Sequence, residues 1–350
     1  MRTVEWTEQN QLRMIDQRRI PWELTFVDYA DYRQVAQAIF DMVVRGAPAI
    51  GVSAAFGMAL AARQSAALDS SDLLEDLETA AATLKNARPT AVNLAWAVDH
   101  MLGVARGAAQ NGTEGVRRAL LDEAQRMADE DVAINKQMAA HGAELIRDGD
   151  TILHHCNTGM LATVDYGTAL GVIRMAHEQG KRIHVLLDET RPRLQGSRLS
   201  AWECEQLGIP YDILPDTAAG YYMRRGEIDL VLFGADRVAA NGDVVNKIGS
   251  YQIAVLAHEN GIPCYSVFPT STADLTMRSG DDIPIEERDK AEVLAPYGCE
   301  IVPATYRARN PAFDVTPARY LTGLVTEQGV IRPPFEANLA AAVRAGQGAA

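Results

Sequence analysis

The stretch LVLFGADR at residues 230–237 decides the fold class, because four apolar residues in succession lead directly into a glycine and charged side chains. A strand that is apolar at every position, rather than at alternate positions, is typical of a parallel sheet buried on both faces. The pattern predicts an α/β fold with a doubly wound, mainly parallel sheet. Further apolar runs of this kind, separated by segments of helix length, are Thr151–Cys156, Ile183–Leu187, Tyr211–Leu214, Cys264–Val267 and Glu300–Val302.

The first part of the chain has a different character, because it is rich in alanine and its apolar residues recur at helical spacing. The composition changes near residue 150. We therefore predict a smaller, mostly helical N-terminal domain with a short β element, residues 1–125, before an α/β domain of residues 126–350. The helical segments are Asp31–Met42, Ser70–Leu84 and Arg117–Ile146, and the β-like runs that precede them are Thr3–Trp6 and Glu23–Tyr29.

The charge balance limits the classes of partner. Lys and Arg number 33 and Asp and Glu number 46, which gives a net charge of −13 over 350 residues. Proteins that coat nucleic acids or anionic membranes rely on net basic surfaces, so neither nucleic acid nor a membrane is expected as a partner. A small anionic ligand stays open, because a pocket can be locally basic on an acidic protein.

The cysteines and the N-terminal segment indicate the compartment. Four cysteines without CxxC spacing form neither a disulfide scaffold nor a zinc motif. The first ten residues lack the apolar core of a signal peptide, and the apolar stretch Ala47–Ala62 contains Pro48 and is short for a bilayer. We therefore expect a cytoplasmic protein.

Polar side chains follow three of the predicted strands. They are HHCNTG at 154–159, DETRPR at 188–193 and GADR at 234–237. In an open parallel sheet ligands bind beyond the carboxyl ends of the strands, so these segments are candidates for one site.

Cys156 and Asp236 are the reactive candidates among them. Cys156 is a candidate nucleophile or acid/base, and the alternative is a small buried residue at a strand end. Asp236 directly follows an apolar strand, where desolvation favours a proton donor; the alternatives are an ion pair with Arg237 or a helix cap. For His154 and His155 we favour packing or hydrogen bonding over zinc, because further ligands at suitable spacing are missing. The other cysteines, expected to be structural, are Cys204, Cys264 and Cys299.

Three segments suit an anion. RGAPAIG at 45–51 and RPT at 88–90 place an arginine before a helix start, where backbone N–H groups favour negative charge. Asn246 and Lys247 lie before a helix that Ser250 can cap, and they suit a phosphate or a sugar hydroxyl. Taken alone, each of the first two segments could be an ordinary helix start with a solvated arginine, and Asn246 and Lys247 could be ordinary polar surface residues.

Six motifs follow one another along the chain: RGAPAIG (45–51), ARPTAVNL (87–94), HCNTG (155–159), ETRPRLQGSRLSAWE (189–203), GADRVAANGDVVNKIGSY (234–251) and GDDIPIEER (280–288). Taken together and in this order, they resemble the methylthioribose-1-phosphate isomerase family over roughly residues 3–335. That family is related to the alpha, beta and delta subunits of the eukaryotic guanine-nucleotide exchange complex for translation initiation, and to archaeal ribose-1,5-bisphosphate isomerases.

The resemblance implies a Rossmann-like C-terminal domain, a homodimer, and neither a metal nor a nicotinamide cofactor. It implies an aldose–ketose isomerase of methionine salvage that converts 5-methylthioribose 1-phosphate to 5-methylthioribulose 1-phosphate. Cys156 and Asp236 correspond to the catalytic pair, with Asp236 as the proton donor. The residues that correspond to substrate-binding positions are Arg45, Gly46, Ala47, Arg88, Gln195, Asn246 and Lys247.

This chemistry gives two expectations for the site. Asp236, neutral in a poorly hydrated place, protonates the ring oxygen and opens the furanose, after which hydrogen moves from C2 to C1 as a proton through Cys156 or as a hydride. Arg45, Arg88 and Lys247 converge with helix N-termini on a single phosphate.

Two alternatives stay open at this point: an isomerase of another 5-substituted ribose 1-phosphate, such as 5-deoxyribose 1-phosphate, and a non-catalytic regulatory homologue. A dehydrogenase is excluded, because NTGMLA at 157–162 carries one glycine where a GxGxxG motif needs three.

Overall fold

The computed structural model describes residues 1–89 and 91–348, which fall into two compact units. The first unit is Met1–Ala133 together with Met160–Asp165, and the second is Ile134–Gly159 together with the chain from Tyr166 onward. The change of unit lies inside one long helix, Gly112–Ala143. The predicted domain boundary after residue 125 lies in the same helix and stays a prediction.

The first unit packs helices around one that is apolar on all sides. This helix, Ala47–Gln64, buries every residue from Ala49 to Ala62, as a helix in the middle of a core does. The predicted helices and the predicted β element are confirmed, and the β element is a three-stranded antiparallel sheet. The elements are β1 (Val4–Trp6), β2 (Leu12–Ile15), β3 (Phe26–Tyr29), α1 (Tyr32–Phe40), α2 (Ala47–Gln64), α3 (Ser70–Ala87), α4 (Val92–Ala108) and α5 (Gly112–Ala143).

Small residues allow α2 to lie close to its neighbours. At Gly57 an added Cβ would stand 3.0 Å from a methyl carbon of Leu84 on α3.

The core of the first unit also includes Val164, which the chain supplies from much later in the sequence. Its carbonyl accepts the N–H of Thr3 at 2.8 Å, and the amide of Gln17 donates to the Leu161 carbonyl at 2.7 Å. The segment Met160–Asp165 is therefore an integral part of the first unit.

The second unit contains a mostly parallel sheet, which confirms the α/β class and the helical N-terminal region before it. Within the described residues its order is β14-β13-β10-β7-β4-β5-β6, and only the edge strand β14 is antiparallel to its neighbour. The strands are β4 (Thr151–His154), β5 (His184–Asp188), β6 (Tyr211–Leu214), β7 (Leu230–Phe233), β8 (Arg237–Ala239), β9 (Val244–Lys247), β10 (Cys264–Val267), β11 (Ala273–Asp274), β12 (Phe313–Thr316), β13 (Gly323–Thr326) and β14 (Gly329–Ile331).

A smaller sheet and several helices complete this unit. The small sheet has the order β11-β8-β9-β12 and grows from the chain that leaves β7. Gly196–Ser200, a widened turn of π-helix, leads into α7. The helices are α6 (Ala169–Glu178), α7 (Ala201–Leu207), α8 (Ala219–Arg224), α9 (Ser250–Glu259), α10 (Ala291–Leu294) and α11 (Phe335–Gly348).

One predicted strand is wrong. The run Glu300–Val302 forms bends instead of a strand, and the Ile301 side chain is exposed. Two apolar residues beside a glutamate give too short a run to be buried on both faces. The sheet continues instead with β13, which pairs with β10. Among the described residues, none of the helices combines the length and apolarity that crossing a membrane requires.

Candidate active site

The candidate site lies at the carboxyl ends of β4 and β7, two neighbouring parallel strands of the seven-stranded sheet. β4 pairs with β5 on one side and with β7 on the other, and His154 at the end of β4 is paired with Leu232 of β7. From β4 the chain passes to β5 on one side, and from β7 it passes to β10 on the other. In open α/β sheets ligands bind at the carboxyl ends of strands arranged in this way. The segments that carry Cys156 and Asp236 begin at this point.

Cys156 is buried, and its backbone adopts the left-handed conformation with φ of 67°. Its N–H donates to Oγ1 of Thr190 at 3.0 Å, and its carbonyl accepts the Ser200 hydroxyl at 2.9 Å. Asn157 donates to the Ser200 hydroxyl at 3.1 Å and to the Glu203 carboxylate at 2.8 Å. The segment after β4 is therefore fixed by side chains of the segment that follows β5.

Asp236 has a different environment. Its N–H donates to the Val245 carbonyl at 2.9 Å, but its side chain is exposed. The expectation of a poorly hydrated place for this carboxyl is therefore wrong for this structure, because the chain leaves the sheet at Gly234 and carries Asp236 outward into β8. Arg237, the neighbour considered as its ion-pair partner, lies 3.9 Å from Asp274 of β11.

Asn246 and Lys247 end β9 and are both buried. The Lys247 ammonium donates to the Ala312 carbonyl at 2.6 Å and lies 4.3 Å from the centre of the Phe313 ring. Burial, together with the charge of Arg288, lowers the pKa of Lys247 to about 8. The charges of Cys156 and Asp236 oppose that shift, so the field of both proposed catalytic groups reaches this ammonium.

The helix after this lysine is not capped as expected. Gly249 is the N-cap residue of α9, and Ser250 donates its hydroxyl backward to the Lys247 carbonyl at 2.8 Å. Asp314 of β12 accepts the N–H groups of Gly249 and Tyr251 at 2.7 and 3.1 Å. The expectation that helix N-termini converge on the phosphate is therefore wrong for α9, because a carboxylate already occupies this helix start.

The adjacent histidines are hydrogen-bonded, as predicted. Nε2 of His154 lies 2.9 Å from the Thr158 hydroxyl, and burial lowers the pKa of His154 to about 3. His155 has an oxygen acceptor at each ring nitrogen: Asp188 Oδ2 at 3.1 Å from Nδ1 and the Ile248 carbonyl at 3.0 Å from Nε2. Burial alone would lower the pKa of His155, but the hydrogen bond and charge of Asp188 raise it above the ordinary value. We interpret His155 as a buried imidazolium.

His155, Asp188 and Asp216 are also the kind of group that can hold a metal ion, because one ligand atom from each lies within 4.8 Å of the others. A metal ligand must present a nitrogen lone pair, and both nitrogens of His155 face acceptors. Asp216 accepts the N–H groups of Thr190 and Arg191, each at 2.7 Å. The hydrogen bonds favour an ion pair over a metal site here.

Gln195 lies in the irregular segment between β5 and α7 and is buried. Its Oε1 atom has no hydrogen-bond partner among the residues that the structure describes. A buried polar atom without a partner is unfavourable, so such an atom is a candidate for binding a ligand.

The candidate anion residues of the first unit lie at two helix ends. At Gly46, φ is 94° and an added Cβ would stand 2.2 Å from the Ala162 carbonyl oxygen, so only glycine fits. Gly46 and Ala47 begin α2, where within the described residues no side chain caps the first N–H groups. Arg45 is half-buried beside them, and Arg88 is half-buried at the end of α3. Thr90 of the ARPT motif lies outside the described residues.

The remaining cysteines differ from Cys156. Cys204 and Cys264 are buried, and burial raises the pKa of both thiols, to about 12 for Cys204, so both are structural as predicted. Cys299 is exposed, because the run beside it is not a strand.

Three residues that matter here were not singled out in the sequence. Thr190 and Ser200 lie inside a quoted motif, but their role depends on the φ angle of Cys156, which the sequence does not reveal. Asp314 belongs to the small sheet, whose short strands mix polar and apolar residues. A search for hydroxyl and carboxyl side chains near the sheet edge would have found them only after the strands were paired.

Comparison with known proteins gives the family. Residues 43–333 match the Initiation factor 2 subunit family, which covers well over half of the chain. The chain therefore belongs to the Initiation factor 2 subunit family.

Within that family, the chain belongs with the methylthioribose-1-phosphate isomerases. It is 52% identical over 342 residues to the methylthioribose-1-phosphate isomerase of Geotalea uraniireducens (strain Rf4), covering 98% of this chain and 99% of that one. The crystal structure of 5-methylthioribose 1-phosphate isomerase from Pyrococcus horikoshii OT3 matches with a TM-score of 0.93 and 46% identity, over 98% of this chain and 96% of that chain. The structure of translation initiation factor eIF-2B, subunit delta, from A. fulgidus matches with a TM-score of 0.89 and 42% identity, over 98% and 99%.

Proposed function

We propose that this chain is the aldose–ketose isomerase of methionine salvage, converting 5-methylthioribose 1-phosphate to 5-methylthioribulose 1-phosphate. The observation that carries the proposal is the juxtaposition of the Cys156 and Asp236 segments at the ends of the paired strands β4 and β7. The relatives above, which bear this enzyme's name and match the chain over nearly its whole length, support the same reaction.

The sheet topology supports a Rossmann-like, doubly wound domain. Numbered along the chain, the parallel strands β4, β5, β6, β7, β10 and β13 lie across the sheet in the order 3-2-1-4-5-6. That is the order of the dinucleotide-binding fold, in which ligands bind where the order reverses, between strands 1 and 4. In this chain the reversal lies between β4 and β7, and the glycine fingerprint for a dinucleotide is missing.

Ring opening is the first chemical task. The anomeric oxygen of an aldose 1-phosphate is esterified, so the sugar has no free aldehyde and its ring must be opened by an acid. We assign this step to Asp236, whose carboxyl protonates the ring oxygen while the bond from that oxygen to C1 breaks. Because Asp236 is exposed in the structure, the substrate itself must cover the carboxyl for water to be excluded.

Hydrogen transfer from C2 to C1 is the second task, and we assign Cys156 to it. In the enediol route the Cys156 thiolate removes the proton from C2 and returns it to C1, whereas in the hydride route the hydrogen moves directly with its electron pair and Cys156 stabilises the transition state. In either route the C2 hydroxyl becomes the ketone carbonyl, and its proton restores the acid form of Asp236. The fixed backbone of Cys156 supports either role, because a reacting group must be held in place before the substrate arrives.

Phosphate binding falls to Lys247, with Gln195 and Asn246 as further substrate ligands. Among the described residues, the Lys247 ammonium uses one of its three N–H donors on Ala312. The other two are free to bind phosphate oxygens. By the motif resemblance we assign Arg45, Gly46, Ala47 and Arg88 of the first unit to the same substrate. The resemblance also leads us to propose a cytoplasmic homodimer.

The experiment is an assay of the purified chain with 5-methylthioribose 1-phosphate and, in parallel, 5-deoxyribose 1-phosphate. We expect ketose 1-phosphate of unchanged mass, and a larger kcat/KM for the first sugar by about 10- to 200-fold, since a hydrophobic pocket gains roughly 1–3 kcal/mol from the added group. Cys156→Ala should abolish turnover, and Cys299→Ala, at the exposed cysteine, is the matched control. Equal loss in both variants, or equal kcat/KM for the two sugars, would contradict the residue or substrate assignment respectively.

The hydrogen-transfer route needs a labelled substrate. With deuterium at C2, full retention in the ketose supports direct hydride transfer, whereas exchange with solvent supports the enediol route through Cys156.

A second candidate function is favoured by the similarity to the protein described as subunit delta of eIF-2B. It is a regulatory or scaffolding role without catalysis. The same assay separates the two, because a folded wild-type chain that turns over neither sugar phosphate would favour the regulatory role.

A further inference from the structure

The backbone of Cys156 is held in a conformation that a non-glycine residue rarely adopts. Its φ of 67° places it in the left-handed region, which disfavours residues with a Cβ by roughly 1–2 kcal/mol. Such conformations persist only when the surroundings enforce them, and they concentrate at functional sites. The contacts that enforce this one can be named.

Two hydroxyl groups bind the peptide groups on either side of Cys156. The N–H of Cys156 donates to Thr190 Oγ1 at 3.0 Å, and the hydrogen of that hydroxyl goes to the Asp188 carbonyl at 3.0 Å. On the other side, the Ser200 hydroxyl donates to the Cys156 carbonyl at 2.9 Å. The hydroxyl oxygen of Ser200 in turn accepts from the Asn157 amide at 3.1 Å. Each hydroxyl thus has a defined donor and a defined acceptor.

The residues that carry these hydroxyls are themselves fixed. Thr190 and Ser200 are fully buried, and the N–H of Thr190 donates to Asp216 at 2.7 Å. Thr190 follows β5, whose last residue Asp188 is paired with His155, the neighbour of Cys156. These contacts therefore fix the position of Cys156 relative to β5, the strand that pairs with β4.

We propose that Thr190 and Ser200 are positioning residues, which hold Cys156 in its left-handed conformation and so direct its side chain toward the reacting atoms. The proposal deepens the proposed function and rests on it, because it assumes the catalytic role of Cys156. Without the two hydrogen bonds φ relaxes toward negative values, which turns the Cα–Cβ bond to another direction.

The test replaces each hydroxyl without changing the shape of the core. Thr190→Val removes the hydroxyl that binds the Cys156 N–H, and we expect kcat to fall about 10- to 100-fold with KM within about threefold, since small misplacement of a reacting group has effects of this size. Ser200→Ala should act in the same direction. Thr190→Ser keeps the hydroxyl and should restore most of the lost kcat.

Thr326→Val is the matched control. Thr326 is a buried threonine in the second unit whose hydroxyl also accepts a backbone N–H and donates to a backbone carbonyl, those of Gln328 and Gly329 at 3.2 Å each. Thr326→Val removes a similar pair of hydrogen bonds at a place away from Cys156, and we expect kcat to stay unchanged. An unchanged kcat in Thr190→Val, a loss equal to that of Thr326→Val, or no recovery in Thr190→Ser overturns the proposal.

A second readout does not need the isomerase reaction. The rate of Cys156 alkylation by iodoacetamide, resolved from Cys299 by mass spectrometry, should change at least threefold in Thr190→Val and stay at the wild-type value in Thr326→Val. If the wild type has no turnover, the proposed function fails, while this rate still tests the positioning. An alkylation rate equal to wild type in both Thr190→Val and Ser200→Ala counts against it.

Discussion

The segments that leave β4 and β7 start as neighbours in the sheet, yet one turns inward and the other outward. After β4 the chain enters a buried, hydrogen-bonded turn with Cys156 only 6% exposed. After β7 it passes Gly234 and carries Asp236 to an exposed position at the start of the small sheet. The proposed catalytic pair thus combines a side chain that is fixed before binding with one whose environment the substrate completes.

The two segments differ in the groups that form hydrogen bonds with them. The turn after β4 meets Thr190 and Ser200, whose hydroxyls bind the peptide groups of Cys156. In the segment after β7, the Gly234 carbonyl accepts the Ser266 hydroxyl and the Asp236 N–H donates to the Val245 carbonyl. Side chains of the segment that follows β5 thus fix the first position, whereas the second lies where the chain passes from β7 into β8.

The largest effect is expected at the exposed side of the pair. Asp236→Asn keeps the shape of the side chain but removes its acidic proton, so kcat should fall about 10²- to 10⁴-fold, the usual contribution of general acid catalysis. Because the side chain is exposed, the melting temperature should stay within about 1 °C of the wild type. Turnover near the wild-type rate would remove Asp236 from the mechanism, and a large drop in melting temperature would show that the two segments are less different than they look.

The next effect concerns Lys247, whose buried positive charge lowers the stability of the folded chain. Its pKa is lowered from 10.5 to about 8, so the unfolded chain binds more protons between these two pH values and stability rises with pH across that window. At pH 7 the charge is fully present, and Lys247→Met should raise the free energy of unfolding by about 2 kcal/mol. The gain should shrink from pH 8 to pH 10.5, and denaturant unfolding at several pH values measures it.

Lys247→Met does not leave the Ala312 carbonyl without a hydrogen bond. That carbonyl also accepts the Ile248 N–H at 3.1 Å, so the loss of the ammonium leaves it with a partner. Isomerase activity should nevertheless fall at least tenfold, because a charged hydrogen bond to phosphate contributes about 1.5–3 kcal/mol. A variant that gains no stability at pH 7, or whose gain is the same at pH 10.5, would contradict the buried ammonium.

The smallest effect tests the strain on the inward side. Cys156→Gly and Cys156→Ala both remove the thiol, but glycine adopts a φ of 67° without a Cβ clash. We expect the glycine variant to be more stable than the alanine variant by about 1 kcal/mol, measured by chemical denaturation. An alanine variant that is the more stable of the two would mean that the left-handed backbone is not under strain.

The sequence predicted the strands that are continuous apolar runs, and β6, β7 and β10 have the bounds expected for them. It missed the small sheet β11-β8-β9-β12, because VVNK and FDVT mix polar and apolar residues and so form no continuous apolar run. It also predicted where Cys156 and Asp236 lie, because the carboxyl ends of parallel strands share an edge. It could not predict that one is buried and one exposed, since that depends on Thr190, Ser200 and a backbone angle that leave no periodic pattern.

The segment Met160–Asp165 has a consequence for the order of events during synthesis. It supplies Val164 to the core of the first unit, yet it follows β4, the first strand of the second unit, along the chain. As the chain emerges from the ribosome, the first unit stays incomplete until residue 165 is available, although its other residues end at Ala133. β4 and the turn with Cys156 are therefore already synthesised when the first core closes, and a fragment that stops at Ala133 lacks part of its own interior.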